Sequence, residues 1–142
     1  MQSSLNHTIE LPVRFNEADP LGIVWHGHYV RYFEDGREAF GHAYGLSYLD
    51  IYHQGYSVPV VKLQCDYKKS LRYGDTILIE TVFTPSVAAK LVFHYKVYNA
   101  ATREIVATGS TLQVFMDLKR NELQLINPTF FEVWKKKYHF DV

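Results

Sequence analysis

The chain has 142 residues, 47% of them hydrophobic, which is enough to bury one core and too few for two independent ones; residues 1–142 therefore read as a single domain. Lys plus Arg and Asp plus Glu both number 15, so no global field draws the protein onto nucleic acid or an anionic membrane, and an anionic ligand needs a local basic patch. The single cysteine, Cys65, excludes an intrachain disulfide and a multi-cysteine zinc site, and no apolar run is long enough to span a bilayer, so the expectation is a cytoplasmic protein without membrane insertion.

From Thr8 to Asn16 apolar and polar residues broadly alternate, which predicts a strand with one buried face, and Pro12 places that strand near a sheet edge. The cluster Glu17-Ala18-Asp19-Pro20-Leu21-Gly22 breaks the strand and turns the chain. A helix is predicted between Tyr29 and Tyr44: Tyr29, Phe33, Gly36, Phe40 and Ala43 recur at spacings of three and four, while Arg31, Glu34, Asp35, Arg37 and Glu38 supply polar faces. Gly36 and Gly41 are poor helix formers, and the close approach of a sheet is a reason to keep them. Gly45 reads as the helix stop, and Ser47 as the cap of a further short turn through Gly55.

Beyond Gly55 the texture turns to strands: YSVPVVKLQCDYKKSL, TILIETVF, KLVFHYKVYNA and EIVATGSTLQVFMD. The breaks RYGD, TPSVAA and AATR are short enough to join antiparallel neighbours as a meander. NELQLINP offers a brief last strand or turn, and TFFEVWKKKYHF a terminal helix opened near Pro128. One strand, one long helix and a run of antiparallel strands make an α+β order in which a sheet wrapped around the helix buries it. A sheet of this kind has edges and a second face to cover, so self-association is expected.

The segment VRFNEADPLGIVWHGHYVRYFEDGREAF, Val13 to Phe40, resembles the acyl-CoA thioesterases of the 4-hydroxybenzoyl-CoA thioesterase and YbgC-like group, and YKKSLRYGD, Tyr67 to Asp75, is similar to that family's second strand and turn. The resemblance implies a hotdog fold, an antiparallel sheet wrapped around one long central helix, with active sites at the interface of a homodimer or of a homotetramer of paired dimers. It implies Asp19 as the group that attacks the thioester carbonyl or activates water against it, and His26 as the histidine of the YbgC-like branch, its backbone N–H polarising the thioester oxygen. Gly22, Tyr29, Val58 and Lys90 are the implied substrate-binding residues, Val58 reaching the site from the partner subunit. The substrate implied is an acyl-CoA, with acyl carrier protein as the alternative carrier, and no cofactor is implied. Two departures stand out: Phe15 occupies a position where YbgC-like members often carry a tyrosine, and of a basic run in the TPSVAAK turn only Lys90 remains.

These residue types suit the chemistry. Thioester hydrolysis needs an oxygen nucleophile or a base, which Asp19 supplies, and donors for the tetrahedral oxyanion, which a helix N-terminus after Gly22 supplies. Taken alone, Asp19 and Gly22 also make an ordinary turn. Glu34 is a rival carboxylate, although Glu34 and Arg37 are spaced as a helical ion pair. His26 and His28 form an HxH pair without a third ligand at a persuasive spacing, so no metal is expected. Phe33 fits core packing, and Cys65 reads as an inert strand cysteine. Lys62, Lys68, Lys69, Arg72 and Lys90 are the candidates for a carrier's phosphates. A hydroxyacyl-carrier dehydratase on the same fold uses a different motif, and a non-catalytic acyl-binding or scaffold protein is the remaining alternative.

Overall fold

A computed structural model describes residues 4–140. The elements are β1 (Leu5–Pro12), a 3₁₀ turn at Phe15–Glu17, α1 (His28–Tyr44), α2 (Tyr48–His53), β2 (Tyr56–Ser57), β3 (Val60–Tyr67), β4 (Thr76–Thr84), β5 (Lys90–Asn99), β6 (Ile105–Val114), β7 (Met116–Asp117), β8 (Glu122–Leu123) and α3 (Thr129–Lys137). The main sheet is antiparallel with strand order β1-β4-β5-β6-β3, and a small sheet pairs β2-β7-β8. This is the hotdog-like architecture, with the helix α1 packed on one face of the sheet.

The alternation in β4 explains that packing. Ile77, Ile79, Thr81 and Phe83 are buried under α1, while Leu78, Glu80, Val82 and Thr84 turn half-buried to the other face. Phe33 of α1 stacks on Tyr95 of β5, and Phe40 meets Phe93 edge to face, so Phe33 is a core residue as its spacing predicted. At Gly36 a Cβ would run into Thr81 Oγ1 and Ile79, so this glycine does admit the sheet. Gly41 has a different reason: a Cβ there would meet Ser47 and the Leu46 carbonyl, so it admits the chain returning from its own helix rather than the sheet.

Gly45 closes α1 in the left-handed conformation at φ 71°, and Ser47 and Asp50 form the capping box that starts α2. Pro128 precedes the first turn of α3, whose Phe131 and Trp134 are buried. The first strand stops at Pro12, short of the Asn16 expected from alternation, because Phe15–Glu17 tightens into a 3₁₀ turn. It is an edge strand, as Pro12 suggested.

Two further expectations are corrected. Only β4, β5 and β6 run as a meander; β3 pairs with β6, so RYGD carries the chain from one sheet edge to β4 in the interior. No ion pair joins Glu34 to Arg37: the fully buried guanidinium of Arg37 donates instead to Gln113 Oε1 at 3.1 Å and the Leu46 carbonyl at 3.0 Å, between the rings of Tyr48 and Phe93. Glu34 accepts from the Tyr48 hydroxyl at 3.1 Å. No helix is long and apolar enough to cross a membrane among the described residues.

Candidate active site

Between the end of β1 and the start of α1 the chain makes a self-contained turn. The Asp19 carboxylate accepts the Leu21 N–H at 2.8 Å, the Gly22 N–H returns to the Asp19 carbonyl at 2.9 Å, and Asp19 N–H reaches the Ile23 carbonyl at 2.8 Å. Gly22 sits at φ +80°, a conformation that costs any L side chain, which is the local reason for glycine here. Two further bonds seat the turn: Val24 N–H on the Leu71 carbonyl and Trp25 N–H on the Glu17 carbonyl.

The helix that follows begins without a side-chain cap, behind Gly27. Among the described residues the backbone N–H groups of His26 and Gly27 donate to no protein acceptor, so they remain available at the positive end of the α1 dipole. The Trp25 ring lies over Gly27, where a Cβ would strike it. His26 is held from below, its carbonyl accepting the Tyr67 hydroxyl at 2.8 Å.

Asp19 and His26 share one pocket of about 410 Å³, lined by Asp19, Leu21, Ile23, Val24, His26, Tyr29, Tyr67, Lys68, Lys69 and Ser70. Burial, with Cys65 and Tyr67 adding to it, pushes the Tyr29 hydroxyl up to about 12, so at neutral pH it is a neutral wall residue. Cys65 lies half-buried in β3, and burial pushes its thiol up as well, away from the thiolate that reactivity needs. Lys69 forms an ion pair with Glu104, which leaves Lys68 and Arg72 as the basic side chains nearest the turn without an ion-pair partner among the described residues.

Asp19, His26 and Tyr29 are thus brought together in this pocket, Gly22 lies in the turn that carries Asp19 without lining it, and Val58 and Lys90 are not in this pocket. Val58 is buried beside Gln113, which donates to its carbonyl at 2.7 Å, and Lys90 opens β5 opposite Val114, at the end of the sheet away from Tyr67. His26 and Asp19 share no hydrogen bond, and His28 lies in the first turn of α1, its ring against Trp25. No cluster of metal-ligating side chains occurs among the described residues. Phe15 is exposed and sets its ring edgewise on Tyr73. Tyr67 was missed by single-residue reasoning because its signal is only the inward phase of β3, where it follows Cys65 and Leu63 on the helix-facing side.

A turn-borne carboxylate beside an open helix N-terminus is chemically able to act on a carbonyl; comparison with known proteins bears on the family. A family model described as the thioesterase-like superfamily matches residues 13–133. The chain belongs to the thioesterase-like superfamily. It is a hydrolase of the thioesterase type, as the Val13–Phe40 segment led one to expect. It is 38% identical over 106 residues, 74% of this chain and 77% of the other, to the putative acyl-CoA thioesterase YneP of Bacillus subtilis. An acyl-acyl carrier protein thioesterase of Arabidopsis thaliana, ATL3, is 24% identical over 84% of this chain and 63% of its own length. Among solved structures, a DHNA-CoA thioesterase from Staphylococcus aureus superposes with a TM-score of 0.82 at 28% identity, covering 94% of this chain and 88% of that one.

Proposed function

We propose that this member of the superfamily is an acyl-CoA thioesterase of the 4-hydroxybenzoyl-CoA and YbgC-like kind, acting as a homo-oligomer. The observation that carries the proposal is that Asp19 and His26 line one pocket at the open N-terminus of α1, where the backbone N–H groups of His26 and Gly27 have no protein acceptor among the described residues. A thioester carbonyl seated against those N–H groups gains stabilisation as its oxygen becomes an oxyanion, a contribution of ~3 kcal/mol for one such donor in a dry site. As base, Asp19 takes a proton from the water whose oxygen attacks the carbonyl; as nucleophile, its own oxygen attacks and water then hydrolyses the acyl-Asp19 anhydride. In either case the C–S bond breaks and the thiolate leaves and takes a proton. His26 serves chiefly through its backbone, which Tyr67 fixes.

The remaining parts follow from position. Gly22 lets the backbone approach the thioester, and Tyr29 walls the pocket. Lys68 and Arg72 stand at the rim for the carrier's phosphates, a role for which Lys90 lies too far along the sheet within one chain. β3 is an exposed edge strand, and antiparallel pairing with the β3 of a second copy brings the Val58 end of that copy beside Asp19, which gives Val58 its place in the acyl site. Coenzyme A as carrier and an aromatic acyl group accord with the names of the Bacillus and Staphylococcus relatives.

Free-thiol release from short, long and aromatic acyl-CoA substrates tests the proposal, with Asp19→Asn beside the wild type. The expected outcome is turnover by the wild type and a loss of at least ~100-fold in kcat for Asp19→Asn. Equal turnover by both moves the base to Glu34. Binding without turnover by either favours the non-catalytic reading, and turnover confined to acyl carrier protein substrates changes the carrier.

A further inference from the structure

Asp19 can act on a carbonyl held by α1 only if its turn keeps register with that helix, and we infer that a buried hydrogen bond between Glu17 and Tyr32 is the latch that sets this register. Both are then positioning residues for the hydrolysis, an inference that rests on the reading of Asp19 as the reacting carboxylate.

Glu17 lies two residues before Asp19 and is 3% exposed, although it is a carboxylate in a small domain. Its Oε1 accepts from the Tyr32 hydroxyl at 3.0 Å and from the Arg14 N–H at 2.7 Å. Its carbonyl accepts the Trp25 N–H at 3.0 Å. One residue therefore joins the exit of β1, the approach to the α1 N-terminus and the second turn of α1 itself. Among the described residues this is the one side-chain hydrogen bond from residues 14–27 to α1, since Tyr67 reaches His26 from β3 and the carboxylate bonds from the Arg14 and Leu21 N–H groups stay within the turn.

The choice of groups fits positioning better than packing. Burying a carboxylate carries a desolvation cost that an apolar residue of the same size avoids, so stability alone does not call for Glu17. What the hydroxyl–carboxylate bond adds is direction. A hydroxyl on a rigid ring, 1% exposed and fixed by the Tyr29 ring at its edge, meets one oxygen of one carboxylate. Burial first, and then the Glu17 charge, push the Tyr32 hydroxyl far above the ordinary tyrosine range, so it remains a donor at any working pH. The latch leaves the Asp19 carboxylate itself untouched, with only the Leu21 N–H on it among the described residues.

The test compares wild type, Tyr32→Phe, Glu17→Leu and Glu17→Gln in kcat and KM per folded protein, melting temperature, and residue-resolved amide hydrogen exchange. For Tyr32→Phe and Glu17→Leu the expected result is a kcat lower by roughly tenfold with KM within about twofold. Exchange should quicken at the amides of residues 19–25 and stay unchanged in β4 and β5. Glu17→Gln, which keeps an acceptor oxygen toward Tyr32, should recover most of the lost kcat. Wild-type kcat in both Tyr32→Phe and Glu17→Leu overturns the latch, and so does faster exchange spread evenly over the chain, the mark of a purely structural role. If the wild type hydrolyses no thioester, the thioesterase reading has failed by itself; exchange at residues 19–25 then decides the latch alone, and an unchanged rate overturns it.

Discussion

Asp19 and Glu17 stand two positions apart in one turn, and the sequence makes the first conspicuous and the second invisible. An aspartate followed by proline and, after one residue, glycine is a turn with a mechanism, because the side chain caps Leu21 N–H and Gly22 takes a positive φ. Glu17 looks like any surface acid, since its partner Tyr32 is fifteen residues on and no local pattern links them. Tyr67 was hidden for the same reason, its partner being the His26 carbonyl far back in the chain. An open helix N-terminus with the His26 N–H was expected, and only the N–H of Gly27 went unnamed, since backbone availability depends on where the helix begins and what caps it. The glycine is open to a direct check. A Cβ on Gly22 would meet Arg72 Nη1 at 3.6 Å, an ordinary contact, so Gly22→Ala carries only the conformational penalty. Urea unfolding should show a loss of ~1–2 kcal/mol, and kcat should fall with it because the Asp19 turn shifts.

At the scale of elements, what was legible was periodicity, and what failed was the meaning of a polar residue within it. The long helix, its stop at Gly45, the Ser47 cap and the terminal helix after Pro128 all follow from patterns within a few residues. Arg37 reads as part of a solvated face, yet its stem threads into the core and its guanidinium fastens α1 to the α1–α2 connection and to β6. Gln113 extends the tie to the Val58 carbonyl and the Tyr48 hydroxyl. A buried guanidinium with no carboxylate on it is costly, and burial lowers its proton affinity, but removing it orphans the acceptors it serves. Arg37→Met keeps the stem and takes the donors, so chemical denaturation should register a loss of ~2–4 kcal/mol. A change within ~0.5 kcal/mol would mean that the acceptors find other donors at little cost.

For the whole molecule, the sheet order was the least legible feature, because a short connection such as RYGD permits a hairpin without requiring one. The chain instead sends β3 to the far edge, beside β6, and leaves all but one of its eight residues exposed. Protected edges carry proline, bulges or charge, and the opposite edge, β1, ends in Glu10 and Pro12. β3 has a bulge and Lys62 at one end, but Val61 and Leu63 stand open at 56% and 41% exposure, which is a poor way to live in water and a good way to pair. Antiparallel pairing with a second β3 would satisfy the free backbone groups and would set Val60 of one copy near Tyr67 of the other, with the Val58 end of its neighbour against the Asp19 pocket, as proposed above. Sedimentation of the wild type should therefore give at least twice the 16.6 kDa chain mass. The double variant Val61→Asp, Leu63→Asp gathers four carboxylates at the seam of two copies, where like charges in close apposition repel. It should sediment as a folded monomer and lose most thioester turnover, although Asp19, His26 and Tyr67 are untouched. A monomeric wild type with full turnover would remove β3 pairing from the mechanism, and a monomeric variant with full turnover would confine the whole acyl site to one chain.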